Sequence, residues 1–399
     1  MVELSPGGGI TSARGFWAGA SYCGIKTEGK DLALVYSEGV CSAAGVFTAN
    51  KVKAAPVLLT QQRAASGLLQ AVVVNSGNAN ACTGEVGYQD ALEMARLAAE
   101  RTGIAEELVA VCSTGVIGVK LPIEKVRCGI AQIELSRDGG HQAASGIITT
   151  DTTIKEAAAR VGVGNAVVTV GGMAKGSGMI HPNLATMLAF ISTDAALDPA
   201  CVGHALKLAV DRSFNMITVD GDTSTNDTVL LLANGVAGNQ TIVAETPEAE
   251  LFQAALDVVV VSLAQAVVRD GEGASKFVEV VVRGALSVAD ARKAARAVAG
   301  SNLVKTAIYG SDPNWGRILA AVGYSGAEVN PDVVDIAIGD AWLMVGGIIQ
   351  PFDRAYASSL LSRPEVAIVV DLHLEGATAT AWGCDLTERY VEINAKYTT

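Results

Sequence analysis

Residues 171–190 read GGMAKGSGMIHPNLATMLAF, a glycine-rich stretch that runs into a compact apolar one carrying one small hydroxyl residue, Thr186. Three readings compete for this stretch, and each implies a different fold. As a phosphate loop it opens a nucleotide-binding helix; as a linker it divides two domains; as a presenting arm it displays the Ala185–Thr186 bond. A phosphate loop needs Gly-x4-Gly-Lys-Ser/Thr, with the lysine after its glycine so that it reaches the phosphates. Here the order is Lys175-Gly176-Ser177, and the match fails. Nor does any run rich in proline or charge divide the chain as a linker does. The arm is the reading left, with glycines 171, 172, 176 and 178 as its flexible part.

Outward from this segment the chain alternates strand and helix signals. LALVYS (32–37), QAVVVNSG (70–77), LVAVCSTG (108–115), NAVVTVGG (165–172) and KFVEVVVRG (276–284) are apolar and β-branched, and turn-forming residues close them as they close strands. Helices announce themselves by their starts: Asp198 then Pro199, Thr246 then Pro247, and Ser287 with Asp290 three residues on, where Gly300 is the expected stop. Several strands joined by short loops are expected around 32–60 and 217–244, so layered mixed β-sheets flanked by helices are favoured over a purely parallel sheet.

Bulk properties narrow the function. Of the 399 residues 50% are apolar but only 5% aromatic, so the core must be built from small aliphatic side chains in close backbone packing. A net charge of -12 with no basic run argues against nucleic-acid or anionic-membrane surfaces, which reward clustered Lys and Arg. The start lacks the basic and apolar regions of a secretory signal, which predicts a cytoplasmic protein. The apolar run at 255–268 contains Asp257 and Gln265 and reads as a buried helix rather than a membrane span. Seven scattered cysteines without a CxxC pair read as reduced, mostly buried thiols.

Polar loops hold the candidate chemistry. In VDGDTSTND, Asp220, Asp222 and Asn226 resemble part of a calcium loop but lack its glycine and terminal glutamate, so no metal is expected. Four histidines, none in a HExxH or GxSxG setting, give little support to a histidine-assisted hydrolase. What remains is a threonine nucleophile. A threonine hydroxyl is feeble unless a base lies beside it, and a chain-terminal threonine carries one in its own α-amine. That amine, ordinarily near 7.7–8.0, is partly neutral at neutral pH. Thr186 is internal, so this reading requires cleavage after Ala185, with its own hydroxyl attacking the preceding carbonyl before water hydrolyses the ester.

The segment KGSGMIHPNLATMLAF resembles the self-cleavage motif of the ornithine acetyltransferases, the bifunctional glutamate N-acetyltransferases of arginine biosynthesis. The likeness spans nearly the whole chain: GFWAGASYCGIK, AAGVFTANKVKAAPV, NSGNANACTG, STGVIG, TTDT, ITVDGDTSTNDT, RDGEGA, GSDPNWGRILAAVGYSG and, at the end, YVEINAKYTT. The resemblance implies an α/β enzyme of the self-processing, N-terminal-nucleophile-like kind, cut into residues 1–185, with the oxyanion-hole loop, and 186–399, beginning with the nucleophile. The pieces would stay associated as two of each. Thr186 would carry acetyl from N2-acetyl-L-ornithine to L-glutamate in a ping-pong reaction without cofactor, with acetyl-CoA a second candidate donor. By motif, Thr114 and Gly115 resemble the oxyanion hole, and Thr152, Lys175, Glu272, Asn394 and Thr399 the substrate contacts, alongside Thr186. Lysine suits the α-carboxylate that both substrates carry, and Glu272 an ammonium. Two rivals stand beside this reading: a self-processing aminopeptidase or amidase in which water replaces glutamate, and an uncut amino-acid-binding protein without catalysis.

Overall fold

Leu188–Thr193 is a strand in which all residues are buried. The computed structural model, which describes residues 1–181 and 187–396, sets it in the middle of a nine-stranded sheet. Ala166–Lys175 pairs with it antiparallel on one side and Thr228–Ala233 parallel on the other. Side chains alternate across the sheet plane. Leu188 and Phe190 enter an apolar cluster with Phe16, Met173 and Leu230, while Ala189 and Ile191 enter a second with Val170, Leu231 and Leu263. A strand packed on both faces has no polar side to show, which is why it reads as a continuous apolar run.

Beyond Ala166–Lys175 the sheet continues through Lys155–Val163 to Val2–Leu4; beyond Thr228–Ala233 it continues through Leu32–Phe47 and Leu68–Asn78 to Val109–Val116. Phe16–Ser21 pairs separately with the first part of Leu32–Phe47. The sheet is therefore mixed, with parallel pairs at 188–193/228–233 and 68–78/109–116. The stretch around 32–60, expected to hold several strands, is one long strand followed by the helix Ala55–Ala64. Its register shifts between Tyr36 and Cys41, and this irregularity turns one strand toward two sets of partners. Within 217–244 only Thr228–Ala233 is a strand; the remainder is loop, of which Asp220 and Asn226 serve the site described below.

A second sheet of six strands is built from residues after 276. Its central strand, Phe277–Ala285, pairs parallel with Glu365–Asp371 and antiparallel with Ala377–Cys384. Val278, Val280 and Val282 are buried, while Arg283 is exposed, so this sheet covers one face only. The helix Val288–Gly300 packs Ala291, Ala294, Ala295 and Val298 into the same cluster as those valines.

Helix starts lie where side-chain chemistry puts them. Asp198 accepts from the Ala200 N–H at 2.9 Å before Pro199–Arg212, Thr246 from Ala249 before Pro247–Arg269, and Ser287 from Asp290 before Val288–Gly300. Gly300, expected as the stop, is instead the last helical residue, and Ser301 ends one helix and caps the next. Pro247–Arg269 is long and apolar enough to cross a membrane by length and composition. In this fold it buries Phe252, Leu256, Val259, Val260, Leu263 and Val267 and packs on strands 155–163 and 166–175.

Four of the seven cysteines are buried, Cys23 is half-buried, and Cys82 and Cys128 are exposed; all are free thiols. The point between residues 185 and 186 is not a boundary between sheets, because the nine-stranded sheet takes strands from both sides of it.

Candidate functional site

Lys175 ends the strand Ala166–Lys175, directly opposite Leu188 in the ladder, so it sits beside the chain that enters and leaves residues 182–186. It is not on a flexible arm, as the glycines before it suggested. Gly171 and Gly172 lie inside the strand, where they are packing residues: a Cβ on Gly171 would come 2.1 Å from the Gly9 carbonyl oxygen, and one on Gly172 3.0 Å from Leu263. The chain leaves regular pairing only after Lys175.

The lysine side chain is 10% exposed, and its Nζ donates to Thr114 Oγ1 at 3.3 Å. That bond occupies an oxygen lone pair and leaves the Thr114 hydrogen free to point elsewhere. Thr114 and Gly115 lie near the end of the strand Val109–Val116, paired in parallel with Ser76 and Gly77. Gly115 holds φ at +133°, and a Cβ there would lie 2.3 Å from the Gly77 carbonyl carbon. No other residue fits, and the two loops NSGNANACTG and STGVIG are thereby locked together. Asn226 completes the lock, its Nδ2 donating to the carbonyls of Ala79 at 2.6 Å and Ser113 at 2.8 Å.

Below Lys175 lies a buried charge network. Asp151 accepts from Lys155 Nζ at 2.7 Å, from the Gly176 N–H at 2.7 Å and from the Thr149 N–H at 3.0 Å, and stands 4.0 Å from Lys175 Nζ. Lys155, itself fully buried, also reaches Asp270 at 2.5 Å. Burial opposes the charge on Asp151, but Lys175 and Lys155 outweigh it and hold the carboxyl down at about 2. Burial lowers Lys175 below the ordinary lysine value, against the pull of Asp151.

Glu272 follows the helix Pro247–Arg269 and donates its N–H to the Ser177 carbonyl at 2.8 Å. Asn394, on the helix Glu388–Lys396, donates from Nδ2 to Glu272 Oε2 at 2.9 Å. Gly178 lets that carboxylate approach, since a Cβ there would lie 2.4 Å from Glu272 Cδ. Asp220 accepts from the N–H groups of Met179 and Ile180 at 2.5 and 2.9 Å, so this carboxylate of the calcium-like stretch holds backbone.

Thr114, Gly115, Lys175, Glu272 and Asn394, far apart in sequence, thus line one small cavity of about 80 Å³, together with Thr149 and Thr150. Thr152 does not line it: its hydroxyl and N–H are engaged by Asp270. Ala185, Thr186 and Thr399 lie outside the described residues. A larger cavity of about 730 Å³, lined by Arg14, Arg160 and Asn239 among others, holds none of the residues singled out from sequence. Sequence reasoning quoted TTDT but selected only its last threonine, Thr152, passing over Asp151; the signal available was an acidic residue flanked by hydroxyls beside a lysine four residues on.

A family model described as ArgJ family matches residues 17–399. The chain belongs to that family. It is 58% identical over 397 residues to the arginine biosynthesis bifunctional protein ArgJ of Symbiobacterium thermophilum, covering 98% of this chain and 99% of that one. The protein of the same name from Dehalococcoides mccartyi is 49% identical over 401 residues, covering 100% and 99%. Among solved structures, the arginine biosynthesis bifunctional protein argJ of Bacillus halodurans matches with 47% identity and a TM-score of 0.52, covering 53% of this chain and 100% of that one. Family membership and the mixed, layered α/β fold agree with the expectation from sequence.

Proposed function

We propose that this chain cuts itself between Ala185 and Thr186 and then uses Thr186 to move an acetyl group from N2-acetyl-L-ornithine to L-glutamate. The observation that carries the reading is the meeting of Thr114, Gly115, Lys175, Glu272 and Asn394 on one cavity beside the chain flanking residues 182–186. The names of the close relatives support a place in arginine biosynthesis. The solved argJ chain supports the cut: its whole length corresponds to only 53% of this chain, about the share made up by residues 186–399.

In the cutting step Thr186 Oγ attacks the Ala185 carbonyl carbon, the C–N bond breaks to leave an α-amine on Thr186, and water hydrolyses the ester to free the Ala185 carboxylate. In transfer, the hydroxyl proton passes to that amine as Oγ bonds the acetyl carbon. Negative charge on the acetyl oxygen meets the Thr114 hydroxyl and the Gly115 N–H, donors already fixed in place, so little reorganisation is required. The C–N bond to ornithine breaks as the departing nitrogen takes the proton. Glutamate's amine then attacks acetyl-Thr186, N-acetylglutamate leaves, and Oγ recovers its proton. Lys175 meets the substrate α-carboxylate and Glu272, oriented by Asn394, the ammonium. Thr152 offers its carbonyl oxygen, since Asp270 holds its hydroxyl and N–H. Thr399 is a further substrate contact, two of each piece form the assembly, and acetyl-CoA is a second candidate donor.

Intact mass spectrometry tests the cut: the purified protein should show two fragments meeting at 185/186 in place of one 40.8 kDa chain, and Thr186→Ala should show only the full chain. Ornithine release from acetylornithine should require glutamate; release that ignores glutamate makes water the acceptor and overturns the transferase reading.

A further inference from the structure

The cavity of about 730 Å³ noted above lies apart from the candidate site. Thr169, which lines it, and Lys175 stand six positions apart on the strand Ala166–Lys175, so about 20 Å of extended chain separates them.

Its polar lining is held in place from behind. Asp194, whose side chain is fully buried, accepts from Arg14 Nε at 3.0 Å and from the Thr169 N–H at 2.7 Å. That grip fixes the Arg14 guanidinium by one edge and leaves its four Nη hydrogens available. Arg160 stands directly across the ladder from Thr169, and therefore on the same face of the sheet. It is exposed, and among the described residues it makes no hydrogen bond or ion pair, not even with Glu3, its neighbour on the other flank. Thr169 is only 6% exposed, and its N–H and carbonyl serve Asp194 and Thr193. Its hydroxyl, by contrast, finds no partner among the described residues. A hydroxyl enclosed to that degree ordinarily has one. The loop that supplies more of the lining is pinned as well. Asn239 accepts from the Ala196 N–H at 2.9 Å and donates to the Ala196 carbonyl at 3.1 Å, while the Ala237 N–H donates to the Asp194 carbonyl at 2.7 Å.

The charge of this lining runs against that of the chain. Acidic residues outnumber basic ones by 41 to 29 overall, yet two arginines and a single acid, Glu248, line the cavity. Guanidinium groups match the planar pair of oxygens on a carboxylate or phosphate, and a hydroxyl adds a third donor. The volume is that of a cavity for a whole metabolite rather than a bare ion. We propose that this cavity binds a small molecule by its carboxylate or phosphate group, held by Arg160, the Nη edge of Arg14 and the Thr169 hydroxyl. Asp194 keeps Arg14 oriented, Arg160 supplies the uncompensated positive charge, and Glu248 opposes the anion.

Calorimetric titration of the whole protein with inorganic phosphate and, separately, with succinate tests the site, with ionic strength held constant by potassium chloride. At least one titration should saturate, and which one does tells a phosphate-bearing ligand from a carboxylate-bearing one. Arg160→Gln, a change at an exposed side chain, should weaken the binding about ten-fold or more, as loss of a charge-assisted bond does. Thr169→Val should weaken it about three-fold or more with the melting temperature of the ligand-free protein little changed. Glu248→Gln should tighten it about two-fold or more, because a repelling charge is removed. If neither anion saturates, the cavity is no oxyanion site and the proposal falls. A titration that is the same in Arg160→Gln as in wild type puts the anion elsewhere, on Lys175 for instance, and overturns it equally. None of these readouts depends on acetyl transfer or on the chain being cut, so the outcome is independent of both.

Discussion

Asp151→Asn perturbs the charge network under the site, and its effect can be worked out from the geometry. The carboxylate neutralises buried Lys155, shared only with Asp270, and accepts from the N–H groups of Gly176 and Thr149. Removing one member of a buried pair leaves an uncompensated charge, and such losses run to about 3–5 kcal/mol. A second, pH-dependent signature separates this cause from simple misfit. A carboxyl held at about 2 in the folded protein, against an ordinary value near 3.9, contributes about 2–3 kcal/mol that is fully present above pH 5. The folded value is the depressed one, so this stability is lost as pH falls: about half by pH 3 and nearly all by pH 1. Asparagine does not titrate. Urea unfolding of Asp151→Asn in the uncut Thr186→Ala background, so that one chain unfolds, should show a deficit of several kcal/mol at pH 7. By pH 3 that deficit should shrink by about 1 kcal/mol. A deficit that stays constant with pH would falsify the claim that Lys175 and Lys155 hold the carboxyl ionised.

Three further outcomes are expected. Thr114→Ala should lower kcat about 10²- to 10³-fold with the protein still cut and folded, as loss of one oxyanion donor does; an unchanged steady-state rate removes Thr114 from that role. Gly178→Ala places a Cβ 2.4 Å from the Glu272 carboxyl carbon, and because the far end of a flexible side chain must move, KM for acetylornithine should rise about ten-fold or more while the melting temperature barely changes. If the melting temperature collapses instead, Gly178 is there for the backbone and not for Glu272. Thr399→Ala should impair transfer, and an unchanged rate with acetylornithine removes Thr399 from the site.

How much of this was legible in sequence depends on how far apart the interacting atoms are along the chain. Asp198, Thr246 and Ser287 were readable as caps because each serves an amide two or three residues away. The five strands read from β-branched runs all exist, because each run buries at least one of its faces. The glycines at 171 and 172 were misread as flexible because their reason lies elsewhere, at Gly9 and Leu263. The bend in Leu32–Phe47 was invisible for the same cause: only the positions of its partner strands reveal it. At the site, Lys175, Glu272, Asn394, Thr114 and Gly115 came from the resemblance and do converge. Asp151 was passed over and Asn226 was weighed only as part of a calcium-like loop, since an acidic or amide residue in a loop reads as turn chemistry until the atoms it serves, up to 147 positions away, are in view.

The interleaving of the nine-stranded sheet bears on what a break between residues 181 and 187 can do to the molecule. Strands 188–193 and 228–233, from after the break, are wedged between 166–175 and 32–47, both from before it, with ladder hydrogen bonds on each flank. Severing the chain there removes no rung of either ladder. The two fragments become a non-covalent heterodimer whose contact is the middle of a core, buried on both faces, so they should part only when the whole protein unfolds. Of fragments expressed separately, the first would lack the centre of the sheet and the second the strands that flank it, so reconstitution by mixing would be a folding reaction rather than a docking one.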